Sequence, residues 1–105
     1  MKYIDVAPIE ELQDSERILF EYEGKPVVLM LVAGEYFALQ DCCTHDDGPL
    51  GDGDIEEYHI VCPRHGARFD VRTGKAVTLP AVMGVSTYSV RVVDGLIQVG
   101  FPDSE

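Results

Sequence analysis

Positive charge is what this 105-residue chain has least of: 8 Lys and Arg stand against 19 Asp and Glu, for a formal net charge of −11. Such a balance repels nucleic-acid phosphates and anionic membrane surfaces, which excludes both as partners. A partner with a basic docking face is expected instead. Long apolar runs are missing too. The longest uncharged apolar stretch, "VVLMLVAG" from Val27 to Gly34, falls far short of the roughly 20 residues a membrane helix needs. The opening "MKYIDVAPIEEL" has neither the apolar core nor the small-residue cleavage site of a secretory signal, so the expected location is the cytoplasm. Cysteine is scarce and odd in number: three, with Cys42 and Cys43 adjacent. That is a poor disulfide framework and suits thiols reserved for a metal or for catalysis.

What is present is enough for a core. Hydrophobic residues make up 46% of the chain and run from Val6 to Phe101, and a domain of this size buries roughly two thirds of its surface. Short apolar runs dominate: "YIDV", "RILFEY", "KPVVLMLV", "EYFALQ", "EYHIVC", "ARFDV", "TYSVRVV" and "LIQVGF". Each reads as a strand. Turn signals separate them at Glu23-Gly24, Ala33-Gly34, Asp52-Gly53-Asp54, Thr73-Gly74 and Asp94-Gly95, the last a strong hairpin signal between β-branched residues. Tyr88, Val90 and Val92 alternate with Ser89 and Arg91, the pattern of a half-buried antiparallel strand. Only "PIEELQDSE" could be helical, as a short turn begun by Pro8. The expected fold is all-β, an antiparallel sandwich or small barrel.

One stretch breaks this rhythm. From Asp41 to about Pro80 the chain is loop-rich and holds all three Cys, all three His and five of the ten Gly. The expectation is one domain over 1–105, with a smaller unit of about 41–80 inserted in a β framework of 1–40 and 81–105.

Inside that unit "CTH" supplies Cys43 and His45, and sixteen residues later "CPRHG" supplies Cys62 and His65. Two loops thus each offer one sulfur and one nitrogen. A [2Fe–2S] core needs four protein ligands, two for each tetrahedral iron, and these four residues match that need. Zinc would accept the same two-Cys, two-His set. A nucleophile-base pair of Cys62 and His65 would leave Cys43 and His45 unexplained.

The flanking residues separate these readings. "CTHDDGPLGDGD" followed by "VCPRHGARFDVRTGKA" resembles the Rieske family, whose pattern is C-x-H, a connection of about this length, then C-x-x-H-G with an aromatic-Asp pair and a T-G turn beyond. The resemblance covers nearly the whole chain, including "YFALQDCCTH" ahead of the first loop and "LPAV" near the family's proline-containing third loop. It implies one Rieske [2Fe–2S] cluster per chain, with Cys43 and Cys62 on one iron and His45 and His65 on the other, at the solvent edge. Imidazoles in place of two thiolates raise the potential above that of plant-type ferredoxins.

Departures from the respiratory branch narrow the reading. That branch has a further Cys in each loop, joined in a disulfide; the aligned positions here are Gly48 and Arg64. It also carries a Ser and a Tyr whose hydroxyls donate toward the cluster and its cysteine sulfur, where this chain has Ala67 and Phe69. Without those donors the reduced state is less stabilised, so the potential falls toward the low end of the Rieske range. Acidic Asp46 and Asp47 push the same way.

The chain is therefore similar to the ferredoxins of multicomponent non-haem iron oxygenases. That similarity implies a soluble, monomeric, non-catalytic carrier, taking single electrons from a flavin-dependent reductase and giving them to the oxygenase. The alternatives are a small subunit of another redox complex (nitrite reductase-like), a cluster-based sensor, or a zinc-stabilised interaction module. Cys42 is expected as a buried thiol and His59 as a surface or sheet histidine. Pro63, Gly66 and Gly48 are expected to shape the loops. Arg64 and Arg68 form a candidate exit surface, and Asp46, Asp47, Asp52 and Asp54 are candidate docking residues.

Overall fold

The computed structural model describes residues 1–42, 50–51, 53–63, 66–77 and 84–102. Among the described residues nine strands run in chain order: β1 Lys2–Pro8, β2 Arg17–Tyr22, β3 Lys25–Val32, β4 Glu35–Gln40, β5 Ile55–Glu56, β6 His59–Val61, β7 Arg68–Asp70, β8 Thr87–Val93 and β9 Leu96–Phe101. Among the described residues there is no α-helix; the candidate helix after Pro8 reduces to one 3-10 turn, Ile9–Glu11. All pairings are antiparallel, in a six-stranded sheet ordered β1-β9-β8-β4-β3-β2 and a three-stranded sheet ordered β5-β6-β7. The all-β expectation holds, and β5 is a strand the sequence reading did not pick out.

The six-stranded sheet is really two ladders with a narrow join. β4 meets β8 at two residue pairs, Ala38 with Tyr88 and Leu39 with Thr87, so the sheet folds over between them and the ladders face each other. Their shared core holds Leu12, Val27, Leu29, Ala38, Ile97, Val99 and Phe101. Phe101 anchors it, stacked on Tyr22 with ring centroids 4.1 Å apart and tilted against Tyr88 at 4.8 Å. Val92, grouped with Tyr88 and Val90 by alternation, is 44% exposed instead. Its strand has run past the two-pair join with β4.

β3 explains the chain's longest apolar run. Val27 and Leu29 face the framework core, while Val28, Met30 and Val32 enter a second core with Leu39, Leu50, Ile60, Cys62, Ala67, Phe69, Val71 and Val85. A strand alternates its side chains between two faces, so a strand buried on both needs apolar residues at every position. β3 is the wall between the framework and the β5-β6-β7 sheet. That small sheet lies between β4 and β8 in the chain, inside the stretch marked by its loops.

Three hairpins share one turn geometry. Glu23-Gly24 (φ 51° and 78°), Ala33-Gly34 (52° and 80°) and Asp94-Gly95 (51° and 77°) each place two left-handed residues between paired strands. This is the two-residue turn whose twist matches that of the flanking strands.

Candidate metal centre

Of the four candidate ligands, the described residues include Cys62. Cys43, His45 and His65 lie outside them, as do Gly48, Arg64, Asp46, Asp47, Asp52 and the "LPAV" segment. Among the described residues no group of three or more His, Cys, Asp or Glu side chains converges to hold a metal.

Cys62 follows β6 directly, and the chain turns back on itself there. Its N–H donates to the Ala67 carbonyl at 2.7 Å, and the Gly66 N–H donates to its own carbonyl at 2.9 Å. Such a reversal needs a left-handed residue, which Gly66 supplies at φ 73° without a Cβ penalty. Pro63, whose ring fixes φ, is exposed at the start of the turn. Cys62 itself is 1% exposed, in a core with Met30, Leu50, Ala67 and Phe69.

Register places the two hydroxyl-free positions. Phe69 pairs with Ile60 across β6 and β7, and Ala67 stands opposite Cys62 through the hydrogen bond above. Cys62 and Ile60, two residues apart, share one face with Ala67 and Phe69. Both positions therefore belong to the packed core that holds Cys62. A thiolate is a metal ligand as well as a nucleophile, and a deeply buried one in apolar surroundings fits the inner end of a sulfide-bridged iron pair. Cys42 is half-buried, and neither it nor Cys62 is in a disulfide.

The chain beyond β7 is tied to this unit. Asp70 accepts from the Arg72 N–H at 2.8 Å and from its guanidinium at 3.1 and 3.0 Å. Those side-chain hydrogen bonds hold the Asp70 carboxyl below the usual carboxylate range. Arg72 in turn lies over the Tyr58 ring, 4.4 Å from its centroid. The T-G turn follows: the Gly74 N–H donates to the Asp70 carbonyl at 2.7 Å, and the Val85 N–H donates to the Gly74 carbonyl at 2.7 Å. A Cβ on Gly74 would overlap the Val85 carbonyl, so glycine is required for this close approach. With the Val77 N–H donating to the Arg68 carbonyl at 2.8 Å, both flanks of the 78–83 segment are anchored on β7 and its turn.

His59 is half-buried on β6, between Glu56 and Asp70 on the neighbouring strands, as a sheet histidine should be. Arg68 pairs with Glu56 at 2.8 Å, so it is an ion-paired side chain of the small sheet. Asp54 is exposed. Sequence reading missed two residues beside the first loop. Asp41, directly after β4, is buried at 9% exposure and accepts from the Leu50 and Gly51 N–H groups at 2.8 and 2.6 Å. Arg17, on β2, donates to the Gly51 carbonyl at 2.8 Å and to the Gly53 carbonyl. A carboxylate closing an apolar strand just ahead of C-x-H is a local signal for Asp41; nothing local marks Arg17.

Comparison with known proteins agrees with this architecture. Residues 2–89 match the Rieske [2Fe-2S] domain. Over 92 residues the chain is 35% identical to the ferredoxin component of the naphthalene 1,2-dioxygenase system of Pseudomonas putida, covering 88% of each chain. The ferredoxin of carbazole 1,9a-dioxygenase from Nocardioides aromaticivorans IC177 superposes with a TM-score of 0.88 at 31% identity, over 94% of this chain and 97% of that one. The ferredoxin-sized chain of a complex of reduced oxygenase and oxidised ferredoxin in carbazole 1,9a-dioxygenase gives 0.87 at 26% identity, over 92% and 91%. The chain belongs to the Rieske [2Fe–2S] domain family. Its cofactor is accordingly a Rieske-type [2Fe–2S] cluster, which removes the zinc module from the alternatives.

Proposed function

We propose that this chain is the ferredoxin of a multicomponent non-haem iron oxygenase, accepting one electron at a time from a flavin-dependent reductase and passing it to the oxygenase. The observation that carries this is the apolar core around Cys62. A buried thiol at the mouth of a tight turn, facing Ala67 and Phe69 where no hydroxyl can donate, suits a low-potential carrier better than a quinol-oxidising subunit. Cys43 and Cys62 would hold one iron, and His45 and His65 the other. When bound, the cluster supplies a one-electron couple; the chain binds it, excludes water from its sulfur end and leaves its nitrogen end for the partner. The carrier does no catalysis of its own.

Similarity to ferredoxins that serve dioxygenases, one of them in complex with an oxygenase, supports the same partners here. So does a net charge of −11, which favours basic docking faces and opposes self-association, so the chain is read as a monomer. Residues 1–105 are read as one domain with its cluster-binding unit at about 41–80. A cytoplasmic location is proposed for a chain whose described cysteines, Cys42 and Cys62, are outside any disulfide; among the described residues no helix is long and apolar enough to cross a membrane. The dithionite-reduced protein tests the reading. A red-brown chain should give the EPR signal of mixed His/Cys ligation, and lose it on substitution of His65. A colourless protein, or a signal indifferent to His65, would overturn it.

A further inference from the structure

Two side chains that bind no metal hold the backbone between the ligand loops. Asp41 Oδ1 takes the N–H groups of Leu50 and Gly51, which close the sequence stretch containing Cys43 and His45. A buried carboxylate is costly unless hydrogen-bonded, and bonds to a charged acceptor are the stronger kind. Gly51 is held at its carbonyl as well: that carbonyl and the one of Gly53 accept from Arg17 Nη1.

The grip reaches the second loop through the glycines. The Gly53 N–H donates to the Leu50 carbonyl at 3.0 Å, and a Cβ on Gly53 would overlap the carbonyl of Val61, the residue before Cys62. At Gly51 a Cβ would crowd Leu19 and stand 3.2 and 3.3 Å from the Asp41 carboxylate oxygens. Contacts therefore run unbroken from Asp41, two residues before Cys43, through Leu50, Gly51 and Gly53 to Val61 and Cys62. Both grips come from the β framework, one from β2 and one from the end of β4.

We infer that Arg17 and Asp41 are positioning residues that set the gap between the two ligand loops, by holding the backbone at Leu50, Gly51 and Gly53 with groups of opposite charge. The inference rests on the cluster reading above. It gives the framework a task beyond support: to present both loops at the spacing the iron pair requires, so that binding does not have to order them.

Asp41→Asn, Arg17→Gln, Arg17→Lys and the double variant test it, with Arg91→Gln, on β8 and bonded to Gln98, as a control. Loss of visible absorbance in excess chelator should be about ten- to hundredfold faster for Asp41→Asn and Arg17→Gln, the range seen when an outer partner of a metal ligand is removed. Arg17→Lys keeps the charge without the fork and should fall between. The double variant should be little worse than the worse single, because both act on one peptide segment. The protein still loaded should show displaced EPR g-values, which a loss of fold stability alone would not produce. If Asp41→Asn does not fold, Arg17→Lys carries the test. Variants that merely melt earlier, with unshifted g-values and unchanged chromophore loss, overturn this inference and leave the cluster reading intact. A wild-type chain without the mixed-ligand signal overturns both.

Discussion

At the scale of single residues, the chemistry turns on what is missing next to Cys62. Ala67 and Phe69 are fully buried in its core, and neither side chain can donate a hydrogen bond to a sulfur that grows more negative on reduction. Ala67→Ser and Phe69→Tyr restore the two hydroxyls. Each should raise the reduction potential by about 20–60 mV, the equivalent of a net hydrogen bond of about 0.5–1.5 kcal/mol at 59 mV per ~1.4 kcal/mol for one electron. Protein-film voltammetry reads this directly, and an unchanged or lowered potential in the double variant would mean that these positions do not tune the sulfur. The identity of these residues was legible in the sequence once the two-loop motif set the alignment. That they share one core with Cys62 was not, since it depends on the pairing of β6 with β7.

At the scale of elements, the hairpins show how a local code can be obeyed unevenly. Three of the two-residue turns adopt the same pair of left-handed conformations, but their first positions are Glu23, Ala33 and Asp94; the fourth, Glu57-Tyr58 between β5 and β6, is left-handed at Glu57 alone. An L-residue pays about 1–2 kcal/mol in that region, and Asn or Asp recovers part of it by local hydrogen bonding. Ala33→Asn should therefore stabilise the chain by about 0.5–1 kcal/mol, an increase in melting temperature of about 2–5 °C. Asp94→Ala should lower it by a similar amount. Equal melting curves for Ala33→Asn and wild type would show that the neighbouring strands, and not the turn, hold this conformation. The turn dipeptides could be read from sequence because their conformations are set within two residues. The candidate helix after Pro8 could not be resolved that way: Ile9 is drawn to β9's turn by its N–H bond to the Gly95 carbonyl at 3.0 Å, and Leu12 is pulled into the framework core.

For the whole molecule, charge is the dominant property. With 19 acidic against 8 basic residues, long-range attraction should speed encounter with a basic partner face and weaken as salt shortens the Debye length. The second-order rate of electron transfer from the reductase should drop several-fold between roughly 0.02 and 0.3 M salt, as stopped-flow traces of cluster bleaching would record. A rate flat in salt would mean that apolar contacts govern docking.

The sequence by itself determined the ligand set to be tested, the strand-rich character, the turns and the electrostatic sign, because each is written in residue identity or in spacings of a few positions. Tertiary structure alone decided that β3 is a wall with a core on either face, that Val92 is left uncovered, and that Arg17 reaches Gly51 and Gly53 from a strand more than thirty residues away. Those outcomes depend on which surfaces meet when sheets stack. No local pattern encodes the partner of a face.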